Sequence, residues 1–246
     1  MAAATMAAAT SPSSPTRSQM LAQLHHERIA RLRARAPTEA FSFKPAAAAA
    51  ALRVELEVLP GSAIGSIVWP GAAVLCEFLA SRPELVAGRR VLELGSGVGL
   101  VAVVAARLGA ASVLATEAPG AEDVLRLLRA NAASSGAALV GVAALAWGAL
   151  PWAEFAGRAE AAGFDIVLAA DCVYEPASAL LLAETLALAL HCPGGAGRRE
   201  ALMAYKERGA GALFFEALSQ RHALSCESVG SSGEHAIMRI APQVRA

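Results

Sequence analysis

The stretch Val91-Leu-Glu-Leu-Gly-Ser-Gly-Val-Gly-Leu-Val101 decides the fold of this chain. A short apolar run ends in an acidic residue and a leucine, passes through three alternate glycines, and continues into a Val/Ala/Leu segment. This pattern predicts a strand, a tight turn and a helix. Because Gly95, Gly97 and Gly99 have no side chains, a ligand can lie directly against the backbone of the turn.

Two acidic residues accompany the glycine turn. Glu117 ends the next apolar run, Ser112-Val-Leu-Ala-Thr116, and a carboxylate there can accept hydrogen bonds from both hydroxyls of a ribose. Glu93, two residues before the first glycine, can pair with the ammonium of an amino-acid-like ligand, or can simply cap the amides of the turn. Together these residues predict a nucleoside-binding crevice.

Strands and helices alternate from residue 90 onward, which indicates an α/β domain. The predicted strands are 91–94, 112–116, 139–145, 164–170 and 200–205, and the predicted helices are 72–80, 98–108, 121–133, 177–190 and 210–221. The runs 224–229 and 235–240 flank Gly230-Ser-Ser-Gly233 and predict a closing hairpin. Alternating residues at 41–43 and 52–58 predict a hairpin before the glycine turn.

Composition excludes several classes of function. The 21 basic and 21 acidic residues give no net charge, and no basic stripe is interleaved with aromatic residues, so we expect no nucleic-acid partner. No apolar run reaches the roughly 18 uninterrupted residues that a membrane span needs. The four cysteines form no C-x-x-C pair, which predicts no metal site, no disulfide framework and a cytoplasmic location.

The first 36 residues differ from the rest of the chain. Residues 1–20 contain mainly Ala, Ser, Thr and Pro with one arginine and no acid, which predicts a disordered tail or, alternatively, an organelle transit peptide. Residues 21–36 have apolar positions near helical spacing among basic residues, so we expect a basic, solvated helix. The folded domain is predicted to span 41–246.

Five motifs occur in an order that is typical of one known family. They are Val68-Trp69-Pro70-Gly-Ala, Glu93-Leu-Gly-Ser-Gly-Val-Gly99, Ala146-Trp147-Gly148, Asp171-Cys-Val-Tyr174 and Tyr205-Lys-Glu-Arg208. With them the chain resembles the seven-strand S-adenosylmethionine-dependent methyltransferases, and more narrowly the protein lysine methyltransferases of methyltransferase family 16. The resemblance covers roughly residues 41 to 240, and the D-x-x-Y motif narrows it to the lysine group.

The resemblance implies a fold and a cofactor. The fold is a doubly wound, mostly parallel seven-stranded sheet with an antiparallel C-terminal strand, a Rossmann-like arrangement with an N-terminal hairpin. The cofactor is S-adenosylmethionine. Its implied binding residues are Trp69, Glu93, Gly95, Gly97, Gly99, Glu117, Ala146, Trp147 and Asp171. The chain departs from the family twice: Ala146 replaces an acidic residue that can hold the adenine amino group, and Glu117 replaces a more usual aspartate.

Two residues of the D-x-x-Y motif are implied to be catalytic. Asp171, at the carboxyl end of a predicted strand, would hold the lysine amine by its side chain or main-chain carbonyl, and Tyr174 would form an aromatic wall around the lysine stem. Alternatively, Asp171 is the N-cap of helix 177–190 and Tyr174 is a packing residue. Trp69 would close over the methionine end of the cofactor or lie in the core. Trp147 would lie beside the adenine or only pack.

The predicted function is transfer of a methyl group to a lysine of a non-histone protein by a monomeric enzyme. Ala146 motivates one alternative, a catalytically inactive cofactor-binding interaction module. A small-molecule methyltransferase is a second. A nicotinamide-dependent oxidoreductase is disfavoured, because Leu100 stands where G-x-G-x-x-G requires its third glycine. The chain also lacks the G-x-S-x-G of hydrolases and the N/D-P-P-Y/F of base-amine methyltransferases.

Overall fold

The computed structural model describes residues 37–46, 50–136, 139–157, 163–192 and 199–243. The predicted tail at 1–20 and basic helix at 21–36 lie outside the described residues. The strands are β1 (Thr38–Phe43), β2 (Leu52–Glu57), β3 (Arg90–Leu94), β4 (Ser112–Glu117), β5 (Val140–Ala144), β6 (Ile166–Ala170), β7 (Glu200–Tyr205), β8 (Leu224–Ser232) and β9 (His235–Pro242). The α-helices are α1 (Pro70–Ser81), α2 (Leu100–Arg107), α3 (Glu122–Ser134), α4 (Ala149–Ala156), α5 (Pro176–His191) and α6 (Gly211–Glu216).

Seven strands pair in the order β5-β4-β3-β6-β7-β9-β8. The five from β5 to β7 are parallel, whereas β9 is antiparallel to both of its neighbours. Strands that are buried on both faces need continuous apolar runs, and β3 and β6 meet this need with Leu92, Leu94 and Val167, which are all buried. The predicted seven-stranded, mostly parallel sheet with an antiparallel C-terminal strand is confirmed.

The strand order reverses beside β3. The chain builds outward from β3 through β4 to β5 and then returns to place β6 on the other side of β3. At such a switch point the two connecting segments leave in opposite directions, so a crevice opens beyond the carboxyl ends of the strands. Leu94 and Ala169 are paired across β3 and β6, which brings the glycine turn and Asp171 to the two sides of this crevice.

The N-terminal hairpin is present but forms a sheet of its own. Strands β1 and β2 pair antiparallel, from Thr38 opposite Glu57 to Phe43 opposite Leu52, and they are separate from the seven-stranded sheet. The side chain of Asn131 in α3 holds the end of β2, because it bonds both the amide and the carbonyl of Glu57. The hairpin therefore contacts the helix layer that follows the glycine turn.

Two helical segments differ from the sequence-based expectation. The sequence predicts a loop at Trp147-Gly148 and no helix where α4 lies. Proline is tolerated in the first turn of a helix, and Trp152 and Phe155 are buried beneath α4. The helix predicted over 210–221 ends as an α-helix at Glu216 and continues as a π-helical turn over Ala217–Arg221.

The described ranges contain no candidate membrane span and no candidate metal cluster. None of the helices there combines the length and the apolar character that crossing a bilayer requires. The same ranges contain no group of three or more His, Cys, Asp or Glu side chains that could hold a metal ion. All four cysteines lie in the described ranges, and Cys76 and Cys172 are buried.

Candidate functional site

A cleft of about 460 Å³ opens at the carboxyl edge of the parallel strands. Its walls come from the segments that follow β3, β4, β5, β6 and β7, together with the segment before α1. The lining includes most of the residues that the sequence singled out: Trp69, Glu93, Gly95, Gly97, Glu117, Ala146, Trp147, Asp171 and Tyr174. Gly99 does not line the cleft. It is the N-cap of α2 and is packed against Leu128, which a Cβ at Gly99 would overlap.

The glycine turn forms the floor of the cleft and cannot carry side chains. Gly95 and Gly97 have positive φ values of 66° and 51°, a backbone region that favours glycine. A Cβ at Gly95 would lie 2.8 Å from the Cys172 sulfur, and one at Gly97 would lie 3.0 Å from the Gly65 carbonyl oxygen. The turn therefore presents bare backbone to the cleft.

Glu117 joins the turn to the end of β4. Its Oε2 accepts a hydrogen bond of 2.9 Å from the amide of Gly97, and its Oε1 accepts one of 2.8 Å from the amide of Ala118. An ionised carboxylate offers about four acceptor positions, so acceptor positions remain on the side chain that lines the cleft. Glu117 can thus hold the turn in place and still accept hydrogen bonds from a ligand.

Glu93 is a buried carboxyl group at the back of the cleft. Burial is the largest cause that raises its pKa to about 8, and the negative charge of Glu117 raises it further. The amide of Ala102 donates to this carboxyl group, yet Oε2 has no hydrogen-bond partner among the described residues. A buried acceptor without a partner is costly, and here a cationic ligand in the cleft could supply one.

Asp171 has a strained backbone and a fully engaged side chain. Its φ of 54° is unusual for a non-glycine residue. Its carboxylate accepts from the Gly71 amide at 2.7 Å and from Arg208 Nη2 at 3.2 Å, and lies 3.1 Å from His235 Nε2. The alternative that Asp171 caps the helix after β6 is wrong, since Glu175 is the N-cap of α5. The carboxylate instead caps the first turn of α1.

Two aromatic residues stand at the mouth of the cleft. Trp69 is half-buried, donates its indole N–H to the Ile64 carbonyl at 2.7 Å, and carries the Arg208 guanidinium 5.3 Å above its ring. It lies in the cleft wall and not in the core. Tyr174 is 39% exposed and also lines the cleft. Both rings are therefore available to a ligand that enters from solvent.

Trp147 both lines the cleft and packs on the hydrophobic core. Its ring lies beside Gly95, 3.3 Å from the position of a Cβ there. Gly148, with a φ of 119°, turns the chain sharply, and its amide donates to the hydroxyl of Thr185 at 2.7 Å. This turn fixes Ala146 in the wall, where its methyl group offers no acceptor to a base.

Sequence reasoning gave no role to four residues that shape this site. Arg208 and His235 hold the Asp171 carboxylate, Gly71 donates its amide to it, and Asn131 links Val98 of the glycine turn to β2. Gly71 and Arg208 left a signal, because they belong to the motifs Val68-Trp69-Pro70-Gly-Ala and Tyr205-Lys-Glu-Arg208. A Cβ at Gly71 would lie 2.7 Å from the Asp171 carboxylate.

Comparison with known sequences finds one family. Residues 49–221 match the model of a family described as lysine methyltransferase. A zebrafish (Danio rerio) relative named protein N-lysine methyltransferase METTL21A is 35% identical over 123 residues, which are 50% of this chain and 54% of the relative. A mouse (Mus musculus) relative named EEF1A lysine methyltransferase 3 is 38% identical over 126 residues, 50% of each chain. The chain thus spans about half the length of these curated relatives.

Solved structures show the same fold. A Thermus thermophilus 16S rRNA N2 G1207 methyltransferase in complex with AdoMet and guanosine superimposes with a TM-score of 0.57, at 22% identity over 84% of this chain and 51% of that one. A methyltransferase from Pyrococcus furiosus gives a TM-score of 0.54, at 16% identity over 76% and 88% of the two chains. At these identities the likeness establishes the Rossmann-like fold and nothing finer.

Proposed function

The chain belongs to the lysine methyltransferase family, and we propose that it transfers a methyl group from S-adenosylmethionine to a lysine side chain of another protein. One observation carries this proposal. The bare glycine turn, the two carboxyl groups of Glu93 and Glu117, and the D-x-x-Y motif all line the same cleft. A small cationic nucleoside and a second reactant can therefore occupy adjacent parts of it.

The cleft suits S-adenosylmethionine chemically. Glu93, whose Oε2 is unpartnered among the described residues, would pair with the ammonium group, while Glu117 would accept from the ribose hydroxyls. Trp147 and Ala146 would flank the base. Because Ala146 stands where the family has an acidic residue, main-chain groups would hold the adenine amino group instead. When bound, this cofactor supplies a methyl group that is already activated on a positively charged sulfur.

The residues at the mouth of the cleft would favour the neutral, nucleophilic form of the substrate lysine. A free lysine amine has a pKa of about 10.4 and must lose its proton before it can act as a nucleophile. A channel walled by Trp69 and Tyr174 disfavours the charged form by excluding water. Because the Asp171 carboxylate already has three partners, we assign the contact with the amine to the main-chain carbonyl of Asp171. Tyr174 would contact the lysine stem.

A large acceptor fits the surface around the cleft. Three of the exposed large apolar side chains line its mouth: Ile64 at 61% exposure, Leu181 at 46% and Tyr174 at 39%. Exposed apolar clusters of this kind are typical of protein contact sites. The acceptor we propose is a non-histone protein, in line with the mouse relative named for EEF1A. A small-molecule acceptor would leave this apolar rim without a partner.

We further propose that the protein acts as a cytoplasmic monomer. Cys76, Cys172 and Cys226 are free thiols, which favours a reducing compartment. The organelle alternative depends on residues 1–20, which lie outside the described residues.

Transfer of tritiated methyl groups to lysate proteins tests the proposal. The wild type should label protein, whereas Gly97→Ala should not, because a Cβ there meets the Gly65 carbonyl at a positive φ. Gly157→Ala is the matched control, since its Cβ makes only ordinary contacts. If the wild type binds the cofactor by calorimetry yet labels no protein, the inactive interaction module is favoured. If it binds no cofactor, the proposal is refuted.

A further inference from the structure

The Asp171 carboxylate joins three elements that are distant in sequence. It accepts from the Gly71 amide in the first turn of α1, from Arg208 in the loop after β7, and lies within hydrogen-bond distance of His235 at the start of β9. The Asp171 side chain is only 3% exposed. Hydrogen bonds to an ionised group are stronger than those between neutral groups, so the carboxylate fixes the relative positions of all three segments.

The segment that Asp171 holds most directly carries Trp69. Gly71 lies two residues beyond this tryptophan, and the N-cap of α1 at Trp69 has no side-chain cap of its own. A carboxylate at a helix N-terminus satisfies free amides and is favoured by the helix dipole. Asp171 therefore does for α1 what a local capping residue usually does, and it sets where α1 begins.

Arg208 holds the same tryptophan from the other side. Its Nη2 donates to Asp171, while its guanidinium lies 5.3 Å above the Trp69 ring, within the range of a cation–π contact. The loop that presents Arg208 is itself braced, because Tyr205 donates to Glu207, which also accepts from the Gly209 amide. The ring of Trp69 is thus confined by Arg208, by the Ile64 carbonyl and by the capped helix.

We propose that Arg208 and His235 are positioning residues that act through Asp171 to hold Trp69 as a fixed wall of the lysine channel. This inference rests on the proposed function and adds the residues that shape its acceptor side. Because Arg208 balances its charge, the Asp171 carboxylate serves the protein scaffold and leaves the incoming amine to the main-chain carbonyl of the same residue. Loss of either partner should free Trp69 to move without altering the cofactor side, where Glu93 and Glu117 are held independently.

Kinetics and cofactor binding test this division. Arg208→Gln should raise the KM for the protein substrate about tenfold, since small displacements of a positioned wall are costly. It should leave the Kd for S-adenosylhomocysteine, measured by calorimetry, within about twofold of wild type. Arg208→Lys should recover part of the loss, because it keeps the charge but not the planar contact. The control is Arg129→Gln, which removes an exposed arginine on α3.

His235 allows a matched pair. His235→Gln keeps a side-chain N–H donor and should retain most activity, whereas His235→Leu removes the donor and should behave like Arg208→Gln. A result in which His235→Leu and Arg208→Gln each lower the affinity for S-adenosylhomocysteine as strongly as they raise the KM for the protein substrate would show a general loss of structure. That result would overturn the inference.

Tryptophan fluorescence separates this inference from the proposed function. The emission of Trp69 is the difference between the spectra of wild type and Trp69→Phe, and the same difference is taken in the Arg208→Gln background. We expect the second difference to be shifted to the red, because the freed ring meets more water. An unshifted difference overturns the inference even in an active enzyme. An inactive wild type would refute the proposed function, but the spectra would still show whether Arg208 holds the Trp69 ring in place.

Discussion

At the scale of single residues, Glu93 makes the stability of the ligand-free protein depend on pH. Its pKa is raised to about 8, mainly by burial, whereas a carboxyl group in an unfolded chain titrates near 4.3. Between these values the folded protein holds a proton that the unfolded chain has lost. The stability of the ligand-free protein therefore falls as pH rises through this window, and the full cost is present above about pH 8.

Removing this charge should stabilise the ligand-free protein in alkali. At pH 9 we expect Glu93→Gln to have a free energy of unfolding higher than wild type by an amount on the order of a few kcal/mol. At pH 4, where the carboxyl group is protonated in the folded state and mostly protonated in the unfolded state, the two should be nearly equal. Urea denaturation at pH 4, 6 and 9 measures this. Glu77→Gln, at an exposed position on α1, is the control, and an identical pH dependence in Glu93→Gln and wild type would count against a buried neutral carboxyl.

The same carboxyl group should release a proton when the cofactor binds. An ammonium beside Glu93 stabilises its ionised form, so its pKa falls on binding and a proton leaves at pH 7. Calorimetric titration with S-adenosylhomocysteine should then give different enthalpies in phosphate and Tris buffers, and Glu93→Gln should bind more weakly and without this difference. A buffer-independent enthalpy for the wild type would place the ammonium elsewhere.

At the scale of elements, Asn131 connects three parts of the molecule. It lies in α3, bonds both main-chain groups of Glu57 at the end of β2, and donates to the Val98 carbonyl in the glycine turn. The amide side chain is buried, its bond to Val98 is buried, and its bonds to Glu57 are partly buried. It therefore couples the separate N-terminal hairpin to the floor of the cleft.

Truncating this side chain should cost stability and cofactor affinity together. Asn131→Ala leaves an amide and two carbonyl groups without partners, and we expect a loss of about 3 kcal/mol in the free energy of unfolding. Ser135→Ala, which removes one hydroxyl bond at the end of the same helix, should cost less than about 1 kcal/mol. Urea denaturation compares the two. Equal small losses would show that the hairpin and the turn are held by other contacts.

Some of the strands and helices could be predicted from the sequence and others could not. Strands β3, β4, β6 and β7, which are buried over most of their length, were predictable because a strand buried on both faces needs an unbroken apolar run. Helix α4 was not predictable, because Trp147-Gly148 indicates a loop. Only the burial of Trp152 and Phe155 in the structure identifies the helix. Nor could the sequence place β1 and β2 in a separate sheet, because alternation reports which face is buried and not which strand is the partner.

At the scale of the whole molecule, topology brings the site together. Glu93, Glu117 and Asp171 were predictable as site residues because each lies at or near the end of a strand, and parallel strands end at one edge. The roles of Arg208 and His235 were not predictable. They reach Asp171 only through the strand order, which places β7 next to β6 and β9 next to β7.

The exposed apolar residues at the mouth of the cleft, Ile64, Tyr174 and Leu181, should affect binding of the acceptor protein and not of the cofactor. Leu181→Ser should raise the KM for the protein substrate several-fold, since Leu181 is 46% exposed at the mouth of the cleft. Leu139→Ser is a matched control, because Leu139 is similarly exposed at 53% but lies just before β5, at the opposite end of the strands. Steady-state methylation assays with the identified substrate compare them. Equal effects of the two changes would argue against docking at this rim.

Mass spectrometry of lysate proteins incubated with the protein and S-adenosylmethionine carrying a deuterated methyl group tests the central claim most directly. We expect the deuterated methyl on lysine side chains of particular proteins with the wild type and none with Gly97→Ala. Labelling confined to another residue type, to nucleic acid or to small molecules would contradict this claim, as would an unlabelled proteome in the presence of a protein that binds the cofactor.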